Sequence, residues 1–456
     1  MFRLSFSVPI KVHLTCIAVM SLFMPQLYAK PPIIIVGAGA AGLSAAQTLK
    51  NAGEDILVLE ARDRTGGRVY SQTTPAHTVD LGASWIHGIK GGNPIWKIAQ
   101  QHKIKTVVYD YDQSTYFHQN GQAFNNQEQH VFEDAIEQVE NKLSQTAPNT
   151  NADDAVKNTL EHTSFKNKVF NENDLKELIY GFYTYTATDP YATSLNQLSA
   201  HYANFEGYFP GDEVIFPKGY HQIIDVLEKG IKIKKDTQIE HIILHDDTVE
   251  LVDQHNQHYT ASKVIITVPL GVLQHHKITF TPELPNTYQN AIQNIGFGSF
   301  NKVFLEFDKP LPLPAKHLKN DIYYQYKGQW FNILDMSEPY KKPMYLFLFG
   351  GPYSQWIDHA SDEQVWAFIH DGLNQNFKHI PLKPKSMTVT HWGSDPYSYG
   401  SFSFPTSQYS KALVDTLTTP IQNKIYFAGE HTNFEYSGTV HGAYLSGQRA
   451  AKQVLK

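Results

Sequence analysis

Cysteine is almost absent from this chain. Among 456 residues there is one, Cys16, and it lies inside an apolar N-terminal stretch. The remainder of the chain therefore has no disulfide and no thiolate nucleophile. It also offers no cysteine to which a cofactor could be bonded, so any cofactor is expected to be bound without a covalent link.

An excess of positive charge is also absent. The 38 lysines and arginines are outnumbered by 44 acids, which gives a net charge of -6 and a pI near 6.4. Binding to nucleic acid needs a basic face for the phosphates, so we expect no nucleic-acid partner. The 22 histidines are scattered without the spacing of metal ligands, and no metal site is predicted.

Long hydrophobic runs are scarce, and the clearest one covers residues 14–24. Arg3 and Lys11 precede it and residues 25–29 follow it, which is the three-part pattern of a secretory signal peptide cleaved after Ala29. The run is short for a bilayer span, although an uncleaved anchor is the alternative. We therefore predict an exported protein, periplasmic or secreted, with no membrane span in the mature chain.

The segment after residue 29 has the pattern of a βαβ unit. Residues 33–36 form a continuous apolar run, typical of a buried parallel strand. The glycine motif of residues 37–42 follows, then a helical stretch of small and apolar residues, and then a second apolar run at 56–59. Glu60 stands at the end of this second predicted strand.

Each glycine of the motif has a physical role in binding a dinucleotide. Gly37 allows a tight turn, Gly39 lets the backbone approach a pyrophosphate, and Gly42 lets helix and strand pack closely. Glu60 follows Gly42 by 18 residues, where a carboxylate can accept hydrogen bonds from a ribose. The order of strand, glycines, helix, strand and acid predicts a doubly wound α/β dinucleotide domain.

A second glycine pair favours FAD over NAD. Gly66 and Gly67, followed by Arg68, come soon after Glu60 and suit a second loop over a bulky cofactor. Glycines permit close backbone approach, and an arginine can neutralise phosphate charge. The alternative is a surface turn with a solvated arginine.

Further segments make the sequence similar to the flavin-containing amine oxidase family, which includes monoamine oxidases, polyamine oxidases and histone lysine demethylases. The resemblance runs from residue 33 to residue 451. The amino-acid sequences of segments 80–88 and 267–273 are most similar to those of the polyamine oxidases. The segments are residues 80–88, 267–273, 300–303, 392–403 and 427–432.

The resemblance implies a Rossmann-like FAD-binding domain with an inserted α+β substrate-binding domain. A chain of this length exceeds what one hydrophobic core usually serves, which agrees with two domains. We predict the FAD domain from three separated segments and the substrate domain from two. The predicted segments are 1–29 for the signal, 30–110, 211–300 and 401–456 for the FAD domain, and 111–210 and 301–400 for the substrate domain.

The resemblance also implies which residues contact FAD. They cluster in the two glycine segments, the segment that begins at residue 80, and the last part of the chain. The implied contacts are Gly37, Gly39, Ala41, Gly42, Glu60, Ala61, Arg62, Gly67, Arg68, Gly82, Ala83, Ser84, Trp85, Ile239, Gly429, Glu430, Thr439 and Val440.

Three residues carry the implied chemistry. Lys302 matches the family lysine that holds a water beside flavin N5, and its ammonium can also place positive charge near arriving oxygen. Trp392 matches a tryptophan at the flavin edge, and Phe402 matches an aromatic that flanks the substrate amine. A solvated strand lysine and two ordinary core aromatics are the alternatives.

The sequence departs from the monoamine oxidases and plant polyamine oxidases at Thr439, where those enzymes carry a second aromatic. Thr439 also lies where a helix N-terminus would stabilise negative charge on the reduced flavin. His87 occupies a position where some polyamine oxidases have histidine and others glutamate. It could tune amine protonation, or it could be a structural histidine.

The predicted reaction is oxidation of an amine C–N bond by hydride transfer to FAD, with O2 as acceptor and aldehyde, amine and H2O2 as products. A polyamine substrate is favoured, and Glu206, Asp212 and Glu213 are the candidate partners for its distal charge, although their loop context favours the alternative that they are solvated acids. A monoamine oxidase, an L-amino-acid oxidase and a non-catalytic flavoprotein are the alternatives. The oligomeric state is left open.

Overall fold

The computed structural model describes residues 30–74, 77–109, 114–203, 207–313 and 321–456. The predicted signal peptide lies outside these residues, and residues Pro31–Lys456 form one compact unit. The predicted boundaries between FAD-binding and substrate-binding segments stay a prediction. No helix among the described residues is long and apolar enough to cross a membrane.

The strands are short and come from every part of the described chain. They are β1 Ile33–Val36, β2 Ile56–Leu59, β3 Ser71–Thr73, β4 Thr78–Asp80, β5 Trp85–Ile86, β6 Val107–Val108, β7 Ser114–Tyr116, β8 Val214–Ile215, β9 Ile233–Lys234, β10 Ile239–Leu244, β11 Val249–Asp253, β12 His258–Ala261, β13 Lys263–Ile266, β14 Thr279–Thr281, β15 Gly296–Gly298, β16 Phe300–Glu306, β17 Asp321–Tyr326, β18 Gln329–Asp335, β19 Met344–Gly350, β20 Ser386–Val389, β21 Phe402–Phe404 and β22 Ile425–Phe427.

The helices range from single turns to 18 residues. They are α1 Ala40–Asn51, α2 Pro94–Gln101, α3 Asn126–Leu143, α4 Ala152–Glu161, α5 Glu172–Thr188, α6 His221–Glu228, α7 Leu270–Gln274, α8 Asn286–Asn294, α9 Ser337–Tyr340, α10 Gly351–Ile357, α11 Asp362–Asn376, α12 Lys411–Thr418 and α13 Val440–Val454, with a 3-10 turn at Glu430–Thr432.

A five-stranded parallel sheet forms the first layer, in the order β22–β13–β1–β2–β9. Its strands read as apolar runs because both faces are covered. One face packs against α1, α6 and α13, and the other against α7, α8 and α12 together with a four-stranded sheet of β10, β11, β12 and β14. The predicted doubly wound arrangement is confirmed.

The two ends of the described chain meet on this sheet. Helices α1 and α13 pack so closely that a Cβ at Gly447 would lie 2.1 Å from the carbonyl oxygen of Ala41. The hydroxyl of Ser44 also donates to the carbonyl oxygen of Tyr444 at 2.7 Å. Strands β8 and β10 come from the 211–300 segment predicted for the FAD domain, but they belong to other sheets.

A six-stranded sheet forms the second layer, in the order β20–β16–β19–β18–β17–β7. Side chains of directly paired residues point to the same side of a sheet. Lys302 pairs with Leu348, Leu334 pairs with both Leu346 and Asp321, and Leu346 pairs with Phe304, two residues after Lys302. Lys302 and Asp321 therefore lie on one side of the sheet, which we call the inner face.

The opposite side of the six-stranded sheet is largely apolar. There, Val303, Ile333 and Phe347 pack with residues of α11 such as Val365 and Ile369. The inner face instead meets the segment around Trp85 and Tyr109 and the helices α3 to α5. Polar groups on the inner face are therefore available to a site between the two layers.

Candidate active site

The glycine motif forms a tight turn at the carboxyl end of β1. Gly37 has a φ of +105°, which favours glycine, and a Cβ at Gly42 would lie 1.9 Å from the carbonyl oxygen of Gly37. The second glycine turn packs against the first, because the N–H of Gly66 donates to the carbonyl oxygen of Ala38 at 2.9 Å. The two turns predicted separately from the sequence thus form one loop pair at the edge of the parallel sheet.

Glu60 joins these two turns. One carboxylate oxygen accepts from the N–H of Ala38 at 2.7 Å, and the other accepts from the N–H of Arg62 at 2.9 Å. Burial raises the pKa of Glu60, while these backbone donors oppose the shift. The N–H of Thr237 donates to the carbonyl oxygen of Glu60 at 2.8 Å, which brings the buried start of β10 at Ile239 beside the end of β2.

The partly buried Arg68 and the buried Glu430 form an ion pair across the carboxyl edge of the sheet. Arg68 Nη1 lies 2.7 Å from Glu430 Oε1 and also donates to the carbonyl oxygen of Ser401 at 2.8 Å. Burial by itself raises the pKa of Glu430, but the charges of Arg68 and His431 and the hydrogen bonds from Ser403 and Arg68 together outweigh burial, and the pKa is lowered. Arg68, predicted as a phosphate partner, therefore has a carboxylate partner within the protein.

Thr439 is the N-cap of α13. Its Oγ1 accepts from the N–H of Gly442 at 2.9 Å and donates to the carbonyl oxygen of Tyr436 at 2.8 Å. The preceding turn is tied to the ion pair, since the N–H of Gly438 donates to Glu430 at 2.8 Å. Helix α13 therefore begins at Val440, beside Glu430, as the family resemblance implies.

Lys302 is buried, with 4% of its surface exposed. Its Nζ donates to the carbonyl oxygens of Gly82 at 2.6 Å and Asp80 at 3.3 Å, and to the hydroxyl of Ser84. The ammonium also lies 4.9 Å from the centre of the Trp85 ring. The interpretation of Lys302 as a solvated strand lysine is wrong, because its ammonium is buried and donates to the 80–85 segment.

Burial shapes the charge state of Lys302 and of a carboxylate beside it. Burial lowers the pKa of Lys302 to about 8, and the charge of Asp80 opposes that shift. Burial also raises the pKa of Asp80 to about 6, although Asp80 accepts from Ser71 and from the N–H of Tyr220 at 2.9 Å. Near neutral pH the pair is therefore an ammonium facing a carboxylate.

Trp392 contacts the 80–85 segment, and Phe402 lies near the start of α13. Trp392 is buried and donates from Nε1 to the carbonyl oxygen of Leu81 at 2.9 Å. Phe402 is only partly buried; its ring lies 5.6 Å from that of Phe300. A Cβ at Gly438 would lie 3.6 Å from the Phe402 ring, which places Phe402 beside the turn that leads to Thr439.

The remaining predicted contacts support this arrangement. Gly82 and Ala83 lie against the chain at residues 68–70, since the N–H of Ala83 donates to the carbonyl oxygen of Arg68 at 3.0 Å. A Cβ at Gly82 would lie 1.9 Å from that same oxygen. Arg62 is bound to Asp395 at 2.7 Å. Ala61 and Gly67 follow β2, Gly429 follows β22, and Ala41 lies in the first turn of α1, which follows β1.

His87 lies apart from Lys302, at the partly exposed end of the 85–88 segment. Its Nδ1 is 2.9 Å from Glu213 Oε1, and the two side chains are 52% and 32% exposed. The nearby Phe209 and Tyr436 rings stack at 5.0 Å and both contact His441. Burial lowers the pKa of His441 to about 3, and the charge of His87 adds to this shift.

The three acids proposed for a distal charge differ in their outcome. Glu213 is the partner of His87, and Asp212 is exposed. Glu206 lies outside the described residues, so its assignment stays a prediction.

Sequence reasoning missed a pair of buried acids, Asp189 and Asp321. Asp321 on β17 accepts from Tyr323 Oη at 2.8 Å and from Asn332 Nδ2 at 3.2 Å. Asp189 follows α5, and its Oδ1 has no hydrogen-bond partner among the described residues. Burial raises the pKa of Asp321 to about 6, and burial together with the charge of Asp321 raises the pKa of Asp189 to about 7.

Comparisons with known proteins agree with this geometry. The family model described as "Flavin containing amine oxidoreductase" matches residues 40–455. The chain belongs to the flavin-containing amine oxidase family. It is therefore an oxidoreductase whose cofactor is FAD, from a family that acts on small amine substrates.

The relatives of this chain include both oxidases and demethylases. Polyamine oxidase 1 of Zea mays is 31% identical, with 93% of this chain and 90% of that protein covered. Polyamine oxidase 3 of Oryza sativa subsp. japonica is 29% identical, with coverage of 93% and 89%. Lysine-specific histone demethylase 2 of Homo sapiens is 27% identical, with coverage of 94% and 54%.

A solved structure of this family shares the fold. A double mutant of a putrescine oxidase, made to redesign cofactor binding, aligns with a TM-score of 0.74 at 18% identity. The alignment covers 93% of this chain and 99% of that chain. The likeness supports the predicted combination of an FAD sheet and a second sheet.

The glycine turns fit FAD physically. Helix α1 begins after Gly39 without a side-chain cap and without an acid in its first turn, so its N–H groups and dipole can bind an anion. A Cβ at Gly39 would have the carbonyl oxygen of Gly66 as its nearest neighbour at 3.9 Å, which leaves room in front of the helix. A pyrophosphate at this point would place a ribose within reach of Glu60.

We expect FAD to be bound non-covalently, because Cys16 is the only cysteine. Acid precipitation of the purified holoenzyme should release the yellow colour into the supernatant. A precipitate that keeps the colour after washing would instead reveal a histidyl or tyrosyl bond to the flavin.

Proposed function

We propose that this enzyme oxidises a polyamine of the spermine or spermidine type and uses O2 as its electron acceptor. The products are then an aldehyde, a shorter amine and H2O2. The observation that carries the substrate class is the buried acid pair, Asp189 and Asp321, on the same side of the six-stranded sheet as Lys302. Polyamine oxidases among the relatives support the same substrate class.

Aromatic side chains connect Lys302 to the acid pair. The Lys302 ammonium lies over the Trp85 ring, and the Trp85 and Tyr109 rings meet edge to face at 6.3 Å. Burial and then the charges of Asp321 and Asp335 raise the pKa of Tyr109, so Tyr109 is close to these acids. On the far side, the Tyr185 and Tyr323 rings meet at 5.4 Å.

The distance along this path suits a long substrate with more than one charge. Lys302 on β16 and Asp321 on β17 are three strands apart, or about 14 Å at the usual strand spacing. A monoamine carries no second charge that could reach the acids. A polyamine could place an ammonium group between Asp189 and Asp321 while another amine lies near Lys302.

Two buried acids without a cationic partner among the described residues favour a cationic ligand. An isolated carboxylate in a protein interior is costly unless it is paired or protonated, and here both pKa values are raised. An ammonium group would supply hydrogen bonds to Asp189 Oδ1 and to Asn332 Oδ1, which also has no partner among the described residues. Two buried acids and an open amide oxygen thus form a cation-binding arrangement.

The protein side of the reaction follows from the site. Bound FAD would supply the acceptor for the hydride of the amine α-carbon and the donor of two electrons to O2, and water would hydrolyse the imine product. Phe402 offers an apolar flank that favours the neutral amine, the form able to lose hydride. Lys302 holds a positive charge in a dry pocket, where it can orient a water and stabilise negative charge that develops on oxygen.

The alternative of an L-amino-acid oxidase is disfavoured by the arginines. Such an enzyme needs an arginine for the substrate carboxylate. Beyond residue 29 the chain has four arginines, and each is engaged elsewhere. Arg62 binds Asp395, Arg64 binds the carbonyl oxygen of Gly67, Arg68 binds Glu430, and Arg449 binds the carbonyl oxygens of Phe427 and Thr432.

Replacing Asp321 by asparagine should raise KM for spermine and spermidine by about tenfold or more, or roughly 1.4 kcal/mol. A charge-assisted hydrogen bond in a desolvated site is worth about that much. KM for tyramine should hardly change, because a monoamine does not reach Asp321. Peroxide release with each amine measures the effect. Asp247→Asn, in an exposed turn, controls for the loss of one negative charge.

The pH dependence gives a second measurement of the same site. Asp189 and Asp321, with pKa values of about 7 and 6, are protonated in acid and cannot pair with an ammonium group. KM for spermine should therefore fall as the pH rises from about 5.5 to 8, more steeply than KM for tyramine. If tyramine were oxidised well and the polyamines not at all, the enzyme would be a monoamine oxidase and the polyamine proposal would be wrong.

A further inference from the structure

A buried amide lies directly behind Lys302. Asn301 precedes Lys302 on β16, points to the opposite side of the strand, and has 0% of its surface exposed. Its Nδ2 donates to Asp358 Oδ1 at 2.8 Å and to the carbonyl oxygen of Ser354 at 3.1 Å. Its Oδ1 accepts from the N–H of Trp392 at 2.8 Å and from Thr390 Oγ1 at 3.1 Å. The amide thus uses all four of its hydrogen-bonding positions.

This amide bridges a gap in the sheet. The pairing of β16 with β20 ends at Val303 and Val389. Beyond that point the N–H of Lys302 donates to Thr390 Oγ1 at 2.8 Å, and the N–H of Thr390 donates to the carbonyl oxygen of Lys302 at 3.0 Å. Asn301 Oδ1 then accepts hydrogen bonds from Thr390 and Trp392, so the side chain continues the connection between the two segments where the regular strand pairing stops.

Two branches from Asn301 converge on the segment that holds the Lys302 ammonium. One passes through Trp392, whose Nε1 donates to the carbonyl oxygen of Leu81. The other passes through the backbone of Lys302, whose Nζ donates to the carbonyl oxygen of Gly82. Because both ends of the network meet at adjacent residues, a shift of Asn301 would move Lys302 and Trp392 relative to each other.

Asp358 determines which way the amide points. Asp358 follows α10 and only accepts hydrogen bonds when ionised, from Asn301 Nδ2, from the N–H of Gly393 at 3.1 Å and from Ser299 Oγ at 3.0 Å. A reversed amide would set its oxygen against this carboxylate and its NH2 against the N–H of Trp392. Both contacts would be repulsive, so one orientation is selected.

We infer that Asn301 and Asp358 are positioning residues that hold Lys302 and Trp392 in their working arrangement. Neither side chain contacts the reacting atoms. Both act through the backbones of Lys302, Thr390 and Trp392. The inference rests on the part proposed for Lys302 in the reaction with O2, and it does not depend on which amine is the substrate.

The test uses a charge swap in the FAD-loaded enzyme. Asn301→Asp sets two carboxylates against each other and should slow flavin reoxidation by O2 about tenfold or more, with the flavin still bound. Asp358→Asn is the milder change and should slow it severalfold. In the double variant, an aspartate at 301 can accept from Trp392 and from an asparagine at 358, so most of the rate should return. Asp362→Asn, exposed at the start of α11, is the matched control.

Reoxidation is followed by stopped flow after chemical reduction, so no amine is needed. In the wild type, the rate should fall as the pH rises through the Lys302 pKa of about 8. The pH at which this fall occurs should change in the single variants and should return to the wild-type value in the double variant. The inference is overturned if both single variants lose only thermal stability while the reoxidation rate and its pH dependence stay unchanged. It is also overturned if the double variant is reoxidised no faster than the single variants. If the wild type does not react with O2, the proposed acceptor is wrong, and the positioning is read from flavin reduction by the amine.

Discussion

Replacement of Lys302 by methionine is expected to slow turnover by about tenfold or more, equivalent to roughly 1.4 kcal/mol of barrier, while FAD stays bound. Methionine fills similar space but removes the ammonium that contacts Gly82, Ser84 and the Trp85 ring. The preorganised positive charge in the dry pocket would then be missing during the reaction with oxygen. Stopped-flow measurement of the two half-reactions identifies the step that slows.

The pH dependence of reoxidation controls for a purely structural effect. The ammonium is protonated below its pKa of about 8 and neutral above it, so a step that needs the charge slows as the pH rises through that value. The reoxidation rate of the wild type should show this fall at alkaline pH. The rate of Lys302→Met should be low at every pH and should show no such fall. If both half-reactions of the variant had wild-type rates, Lys302 would have only a structural role.

Replacement of Gly39 by valine should abolish FAD binding and leave the protein folded. Gly39 has ordinary backbone angles, φ −78° and ψ −177°, and a Cβ there would be 3.9 Å from its nearest neighbour. The fold therefore tolerates a side chain at this position. The added methyl groups would occupy the space in front of α1 that the pyrophosphate needs.

Flavin content, circular dichroism and thermal unfolding of apoprotein measure this prediction. Gly42→Ala is the contrasting variant, because its Cβ would lie 1.9 Å from the carbonyl oxygen of Gly37. That variant should lower the stability of the apoprotein itself, whereas Gly39→Val should unfold like the apo wild type. A yellow Gly39→Val protein with full flavin content would place the pyrophosphate elsewhere.

The parts of the fold that the sequence predicted are those determined by local patterns. The run at Ile33–Val36 is apolar because both faces of the strand are covered. The tight turn after this strand requires glycine at both position 37 and position 42, so the requirement is visible within a six-residue motif. Motif resemblance was enough to select Lys302, Trp392 and Glu430. These residues lie next to backbone segments whose own sequences are distinctive.

The parts that could not be predicted depend on contacts between distant segments. Asp189 and Asp321 have no sequence neighbours that suggest a shared site, and only the pairing of β17 with β18 and the end of α5 brings them together. Asp80 reads as the first residue of a family segment, and its proximity to Lys302 arises when β16 packs over that segment. His87 likewise finds Glu213 through the pairing of β5 with β8.

The meeting of α1 and α13 on the parallel sheet has a consequence for how the protein acquires its cofactor. Strands β1 and β22 flank β13, although they come from opposite ends of the described chain. Contacts between such distant segments form slowly, since a long loop must close before they stabilise the fold. The anion site at α1 is made early in synthesis, whereas Glu430 and the start of α13 are made about 400 residues later. Strong retention of FAD therefore requires a chain that already includes α13, and because FAD binds the folded state, it stabilises the docking of α13 on α1.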